Sequence, residues 1–407
     1  MSKLACMLVL AVTFRLVDGS CEVNINDLAD PEPVFLKSNN ELWAPVNGTL
    51  QWSETDRTLI ACPGSTIDGT NLEVASIECV CGTTFRIQGS TIDIRRVVCQ
   101  RRTDSIVWRK TAPQNCAVDG TLFNIGFDIP TVGKIPLIEV CYDMRLAAPI
   151  YSHHEIRGTA IGSKIKSFTR PRSFKSDMTP PEVDPSNLFT IRSSFATLTN
   201  LLGSETQAKK FMPHNSSRLR LSRGHLAPDA DGIFRSWRLA TYYYLNVVPQ
   251  WQICNAENWE RVESIARKMA KNMQEDLMIY TGSSGVLNLP DSKKKLIPFY
   301  LTTVKESEGT VSKIPVPSLM WKVLKSRKQN AAIAFVQHNN PFLDEATISD
   351  RLCDDSTHCA QYGFVNGQFK NVTRGYTYCC TVDELSSKLP SLIPSEARAA
   401  KVLCGPK

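Results

Sequence analysis

The sequence predicts an α+β protein in which a β-rich first part precedes a mixed second part. Residues 20 to 150 contain segments with alternating apolar and polar side chains, such as TFRIQG and TIDIRRVVC, separated by Gly, Asn, Asp and Pro. After residue 150, strand-like segments are combined with an apolar stripe at helical spacing in NAENWERVESIARKMAKNM. Seven cysteines lie between Cys21 and Cys141, so we expect a sandwich or small barrel stapled by disulfides.

The first 19 residues are typical of a secretory signal peptide. Lys3 gives a positive start, an apolar run from Leu4 to Phe14 follows, and a cleavage point is expected near Gly19. That run is too short to span a bilayer, and no later stretch reaches the length of about 18 apolar residues that a membrane helix requires. We therefore expect a signal peptide at residues 1–19 and a secreted, extracellular protein without a membrane partner.

The chain has 14 cysteines, and an exported protein of this kind is expected to use them in disulfides. Loss of Cys6 with the signal peptide leaves an odd number, so at least one cysteine should be unpaired. Cys254 is our candidate, as a small buried hydrophobe. Cys379 and Cys380 are expected to form two separate bridges. The other pairings stay open, and so does glycan occupancy at the three sequons, which are Asn47, Asn215 and Asn371.

A change of composition near residues 147–149 predicts a domain boundary. Residues 20–150 would form a β-rich accessory domain and residues 151–407 a second domain, which opens with the Pro-, Ser- and Lys/Arg-rich loop SFTRPRSFKSDMTPPEVDPSN. The formal charge differs as well, with −4 before residue 151 and +11 after it. A basic second part suits a polyanion such as nucleic acid, although a solvated surface would explain it too.

Polar residues of the second part are predicted to meet where two strands precede a helix. Strands are expected at SRLRLS, which leads into Arg-Gly-His, and at TYYYLNVVP, and a helix is expected to begin at Asn255. Glu263 would then lie within about 80° of Asn255 around the helix, on one polar edge. Later strands are predicted at DLMIYTG, IPVPSLMWKVL and AAIAFVQ. The candidate site residues are Arg223, His225, Asn246, Asn255, Glu263 and Arg267.

These residue types together suit the cleavage of a phosphodiester. A neutral imidazole near its ordinary pKa of about 6.5 can take a proton from water, which predicts that activity falls below that pH. Mg²⁺ retains several waters and needs only one or two protein oxygens, such as an asparagine carbonyl. Arginines supply forked donors to phosphate. Taken singly, each feature also has a purely structural explanation. Asn255 suits the N-cap of a helix, and Glu263 with Arg267 forms an i,i+4 pair that is common on exposed helices.

In order and together, the blocks RGHLAP, LNVVPQ and NAENWERVE resemble the signature of the DNA/RNA non-specific endonucleases. The resemblance implies a ββα-metal nuclease domain behind the β-rich, disulfide-stapled N-terminal domain. It implies that His225 is the general base, that Asn255 is the direct Mg²⁺ ligand and that Glu263 orients waters of the metal. Arg223 and Arg267 would bind phosphate or stabilise the transition state, and Asn246 would support the geometry. The family usually has Asp where this chain has Ser222.

Further blocks, including TYYYLNVVPQW and RGYTYCC, resemble more narrowly the secreted nucleases of crustaceans. This resemblance implies an endonuclease that uses Mg²⁺, or Mn²⁺ or another divalent cation, and prefers duplex DNA. The alternatives are a nuclease that cleaves DNA and RNA equally and a catalytically inactive polyanion-binding protein. No protein partner is evident from the sequence. His153 and His154 could bind a metal, but adjacent side chains diverge and no third ligand is evident.

Overall fold

A computed structural model of the chain describes residues 20–53, 56–111, 116–117, 119–307, 309–344, 348, 351–353 and 357–405. The predicted signal peptide, residues 1–19, lies outside the described residues. The described strands are β1 Cys21–Asn24, β2 Val34–Leu36, β3 Thr49–Trp52, β4 Arg57–Ala61, β5 Val74–Cys81, β6 Thr84–Ile87, β7 Ser90–Asp93, β8 Ile106–Arg109, β9 Gly120–Ile129, β10 Gly133–Asp143, β11 Ala148–Ile156, β12 Leu221–His225, β13 Val247–Trp251, β14 Leu277–Ser284, β15 Asn288–Pro290, β16 Leu296–Pro298, β17 Tyr300–Glu306, β18 Gly309–Pro315, β19 Leu319–Ser326, β20 Ala331–His338, β21 Thr377–Cys380 and β22 Lys401–Val402.

Short helices connect these strands, and one long helical segment follows β13. The α-helices are α1 Pro185–Leu188, α2 Ile191–Leu202, α3 Glu205–Phe211, α4 Arg235–Leu239, α5 Gln252–Cys254, α6 Glu260–Met273, α7 Thr357–Gln361 and α8 Val382–Lys388. A π-helix at Asn255–Trp259 joins α5 to α6. Short 3₁₀ turns lie at Ile25–Asp27, Ile94–Arg96, Ile161–Ser163, Asp229–Asp231, Tyr244–Asn246, Val372–Arg374 and Ser395–Ala397. No described helix is long and apolar enough to cross a membrane.

A large, almost wholly antiparallel sheet forms the centre of the molecule. Its strands run in the order β21-β20-β19-β14-β11-β10-β9-β8, and β22 pairs with β20 in parallel. Apolar side chains alternate between its faces: Leu277 and Ile279 pack in one core with Ala266 of α6, while Met278 and Tyr280 pack in the other core with Leu385 of α8. The sheet is therefore covered on both faces, which explains why every residue of β20 is buried.

The N-terminal part builds a smaller sheet in the order β2-β4-β5-β6-β7. Strands β8 to β11, however, join the central sheet. The boundary predicted at residue 150 therefore falls inside β11, and one sheet continues on both sides of it, because the change in composition marks the end of the strand-rich stretch rather than the edge of a sheet. The division into two domains at that position stays a prediction.

Five disulfides are described, and three of them lie in the β-rich first part. They pair Cys21 with Cys79, Cys62 with Cys99, Cys116 with Cys141, Cys353 with Cys380, and Cys359 with Cys379. The separate bridging of the adjacent Cys379 and Cys380 is thus confirmed. Among the described residues, Cys254 is free and buried, as predicted, and Cys404 is also free but exposed.

Five predicted elements differ in their bounds. TYYYLNVVP is a strand only from Val247, after the 3₁₀ turn at Tyr244–Asn246, and IPVPSLMWKVL is divided between β18 and β19. TIDIRRVVC is a strand only to Asp93, whose side chain accepts from the Arg95 amide and caps a 3₁₀ turn. Residues 217–220 of SRLRLS are not a strand, because the carbonyls of Arg218 and Arg220 accept hydrogen bonds from the amides of residues 253 and 252, where α5 begins. The helix therefore starts at Gln252 and not at Asn255, and Asn255 is no N-cap.

Candidate functional site

The hairpin of β12 and β13 presents His225 at the end of β12. The imidazole packs against the rings of Phe174 and Tyr242, with centroids 5.2 and 5.1 Å away. The residue is half-buried, but its Nε2 is enclosed and has no hydrogen-bond partner among the described residues. Burial lowers the pKa of His225 to about 4, which outweighs the opposing effect of the Asp229 charge. The side chain is therefore neutral at pH 7, with one ring nitrogen uncommitted.

Arg223 lies two residues before His225 and so on the same face of β12. Its Nε donates to the Tyr244 hydroxyl at 3.1 Å. Its guanidinium carbon lies 5.4, 5.9 and 5.6 Å from the ring centroids of Phe174, Phe189 and Tyr244. Stacking and cation–π attraction hold the guanidinium group between the aromatic rings, and its terminal nitrogens can donate hydrogen bonds to an anion.

The opposite face of β12 carries the contact with the helix. Ser222 Oγ donates to the Gln250 carbonyl at 2.9 Å and accepts from Asn255 Nδ2 at 3.2 Å. Gly224 is required beside it, because a Cβ at that position would lie 2.4 Å from Gln250 Oε1. Asn255 thus contacts β12 at Ser222, three residues before His225, and no hydrogen bond between Asn255 and His225 is described. Its amide nitrogen is engaged, which leaves its carbonyl oxygen as the group that could bind a cation.

The π-helix at Asn255–Trp259 changes the register between Asn255 and Glu263. A π turn contains about one residue more than an α turn. The rotation from Asn255 to Glu263, eight residues later, therefore equals that of about seven residues in a regular α-helix. The angle between Asn255 and Glu263 then falls from about 80° to about 20°. The two side chains consequently share one stripe of the helix, two turns apart, more closely than a regular helix predicts.

Glu263 and Arg267 lead into a buried charged network. Arg267 Nη1 lies 3.0 Å from Asp231 Oδ1 and 3.9 Å from Glu263 Oε2. Asp231 Oδ2 also lies 2.9 Å from His154 Nε2. Burial acts to raise the pKa of Asp231, but the His154 hydrogen bond and the Arg267 charge lower it to about 2. Arg267 is therefore held by a permanent carboxylate, which orients it and takes up part of its charge.

Lys322 of β19 lies in the candidate site, and the sequence reasoning missed it. It is 1% exposed, and its Nζ donates to Thr281 Oγ1 at 2.6 Å and to the Leu226 carbonyl at 3.3 Å. Burial raises the pKa of Glu263, and the Lys322 charge is the largest influence that lowers it. A lone cation inside the apolar run LMWKVL was the available signal. Lys322 thus fixes the backbone next to His225 and counters the Glu263 carboxylate.

Two further residues hold the chain around His225. Asn246 is fully buried; its Oδ1 accepts from the Ala227 amide at 3.0 Å, and its Nδ2 donates to the carbonyls of Ala227 and Thr241 at 2.8 and 3.0 Å. Asp229 was not predicted; its Oδ2 accepts from the Tyr242 hydroxyl at 2.7 Å and from Arg170 Nε at 3.1 Å. Both groups pin the loop that follows His225, and Asp229 follows RGHLAP directly in the sequence.

The other metal candidate, His153 with His154, separates across β11. His153 stacks on Tyr280 with centroids 4.4 Å apart, while His154 binds Asp231. Within the described ranges, no group of three or more His, Cys, Asp or Glu residues has the arrangement of a metal site. A hard cation held mainly by water needs only one or two protein oxygens. The Asn255 carbonyl, with the Glu263 carboxylate on the same helical stripe, fits such a site for Mg²⁺.

Residues 118–385 match the family model described as DNA/RNA non-specific endonuclease. This match covers more than half of the chain, and the chain belongs to that family. The family assignment made from RGHLAP, LNVVPQ and NAENWERVE is thus confirmed, and the protein is a nuclease of this class.

Relatives extend the likeness over most of the chain. A salivary endonuclease of Lutzomyia longipalpis is 31% identical over 93% of this chain and 85% of its own length. A salivary endonuclease of Culex quinquefasciatus is 27% identical over 93% of this chain and 92% of its own length. The mitochondrial nuclease EXOG of Xenopus laevis is 34% identical, but over only 30% of this chain and 33% of its own length. These relatives are insect and frog proteins rather than crustacean ones.

Proposed function

We propose that the protein is a secreted, Mg²⁺-dependent endonuclease that hydrolyses phosphodiester bonds in DNA, with His225 as general base. The observation that carries the proposal is the neutral, half-buried imidazole of His225, on the strand face that also presents Arg223. A base must be unprotonated and free to accept, and an arginine beside it can hold the phosphate whose bond is broken.

In the proposed reaction, His225 takes the proton of a water molecule as that water attacks phosphorus. The ester bond between phosphorus and the leaving oxygen breaks, and the leaving oxygen takes a proton from another water molecule. Arg223 binds a phosphoryl oxygen through its terminal nitrogens, and Arg267, oriented by Asp231, contributes positive charge to the same region. Asn246 keeps the loop after His225 in place. When bound by the Asn255 carbonyl with support from Glu263, Mg²⁺ would neutralise phosphoryl charge and stabilise the leaving oxygen.

The choice of substrate and compartment rests on resemblance. The preference for duplex DNA comes from the likeness to secreted crustacean nucleases, and secretion is supported by the salivary relatives and the signal-like residues 1–19. A nuclease that cleaves RNA at the same rate as DNA is the main alternative. An inactive polyanion-binding protein is the other, since Ser222 replaces the usual Asp.

Nicking of supercoiled plasmid by purified protein, with Mg²⁺ or with EDTA, tests the proposal. Wild-type protein should nick only with Mg²⁺, and His225→Ala should lose at least about 99% of the rate, as expected for removal of a general base. His214→Ala, which removes an exposed histidine away from the hairpin, is the control, and circular dichroism verifies the fold of both variants. Binding without cleavage would favour the inactive protein, and equal rates on duplex DNA, single-stranded DNA and RNA would favour the sugar-non-specific enzyme.

A further inference from the structure

A buried carboxylate of the N-terminal part, Glu32, contacts the start of α4, the helix that follows the loop after His225. Glu32 is 1% exposed. Its Oε1 accepts from the backbone amides of Arg235 and Ser236 at 2.7 and 3.4 Å, and its Oε2 accepts from Arg235 Nη1 at 2.9 Å. Phe234 precedes α4 and provides no side-chain cap of its own. A residue 203 positions earlier in the chain therefore satisfies the first amides of α4 and neutralises the buried Arg235.

The segment that Glu32 anchors is the loop between His225 and α4, residues 226–234. In its middle this loop carries Asp229 and Asp231 into the site, where they contact Tyr242 and Arg267 respectively. At its C-terminal end, Phe234 stacks on Phe35 of β2 with ring centroids 5.9 Å apart. The loop is thus held between the site on one side and the N-terminal part on the other.

We propose that Glu32 is a positioning residue of the nuclease site, acting through loop 226–234 on Asp231 and hence on Arg267. This inference rests on the proposed function. Glu32 lies outside residues 118–385, the part that matches the family model. The N-terminal part therefore completes the catalytic geometry by bracing the loop that follows the general base, in addition to its own folding.

Cleavage kinetics of full-length Glu32 variants on a duplex oligonucleotide with Mg²⁺ test this role. Glu32→Ala should lower kcat about tenfold or more with little change in KM, because small misplacement of groups at a reacting centre costs rate rather than ground-state binding. Glu32→Gln retains an acceptor for the α4 amides and should keep an intermediate kcat. Ile77→Ala, at a fully buried position of β5, which β4 separates from β2 in the smaller sheet, is the matched control and should lower Tm while leaving kcat unchanged.

A double variant separates positioning from stability. If Glu32 acts through Asp231, then Glu32→Ala combined with Asp231→Asn should lose no more kcat than Asp231→Asn alone. Should Glu32→Ala fail to fold, Glu32→Gln with and without Asp231→Asn decides the question. The proposal is overturned if the Glu32 variants keep the wild-type kcat, or if Ile77→Ala loses kcat in the same proportion to its Tm. Inactivity of wild-type protein would instead refute the proposed function.

Discussion

Replacement of Lys322 by methionine should destabilise the protein in a way that depends on pH. The lysine is buried; its ammonium binds Thr281 and the Leu226 carbonyl and offsets the charge of Glu263. Methionine has a similar length and no charge, so the substitution removes the cation with little change in packing. The main consequence is a buried Glu263 carboxylate that has lost its principal counter-charge.

The magnitude follows from the groups that remain. Removal of the main counter-charge near a buried carboxylate costs at most the roughly 3–5 kcal/mol that is lost when one partner of a buried ion pair is removed. Arg267 stays 3.9 Å from Glu263 and compensates in part, and proton uptake by Glu263 limits the remainder, so we expect about 2 kcal/mol at pH 8. The folded pKa of Glu263 already lies above its ordinary value of 4.5, and the variant raises it further. When the pKa of a carboxyl is higher in the folded than in the unfolded protein, the free energy of unfolding falls as pH rises above the unfolded pKa. At pH 5 Glu263 is protonated in the folded protein, so the cost of the substitution should fall to about 1 kcal/mol.

Urea denaturation at pH 5 and pH 8, with EDTA present so that no metal contributes, measures this difference. Lys325→Met is the control, because Lys325 lies on the same strand but near the surface, and we expect a change within about 0.5 kcal/mol at both pH values. A cost for Lys322→Met that is equal at the two pH values would show that Glu263 does not depend on Lys322, and the electrostatic reasoning would be wrong.

Two further predictions concern His225, the proposed base, and Asn255, the proposed metal ligand. NMR titration of the imidazole signals in EDTA, with His225 assigned from a His225→Gln variant, should give a pKa of about 4 for His225; the base then stays neutral at pH 5, and a midpoint near 6.5 would contradict the enclosure of its Nε2. Asn255→Ala should raise the Mg²⁺ concentration for half-maximal cleavage at least about tenfold, as loss of a metal-site group typically does. Lys268→Ala, an exposed change on the same helix, should leave that concentration unchanged, and an unaltered Mg²⁺ response in Asn255→Ala would remove Asn255 as the ligand.

The sequence allowed the local part of the site to be predicted. The strand–strand–helix order, the shared face of Arg223 and His225, and the proximity of Glu263 to Arg267 all follow from spacings of a few residues, which the period of a strand or helix converts into geometry. The expected fall of activity below pH 6.5 was based on the ordinary pKa of histidine. Enclosure by Phe174 and Tyr242, which come from other segments, lowers that pKa, and spacing carries no information about such contacts.

The residues that the sequence reasoning missed are those that act across long separations. Asp231 meets His154 from 77 positions away, and Lys322 reaches the Leu226 carbonyl from 96 positions away. Each pairing depends on how β11, β14 and β19 align in the central sheet. That order cannot be read from periodicity, because every strand of the sheet has the same repeat of two. The same limit applies to Glu32, whose partner Arg235 lies in a different part of the chain.

The register of the helix shows how an irregular turn can serve a site. An uninterrupted α-helix would leave Asn255 and Glu263 about 80° apart, so that one cation could not readily approach both. The π turn at residues 255–259 absorbs about one residue and brings them to about 20°. Because π turns weaken the hydrogen-bond ladder, this turn is expected to persist only where packing enforces it, and the buried Asn258 supplies such packing through hydrogen bonds to the carbonyls of Gln368 and Gly375, each 2.8 Å. The alignment of the two groups proposed to serve the metal thus depends on a C-terminal segment more than 100 residues further along the chain.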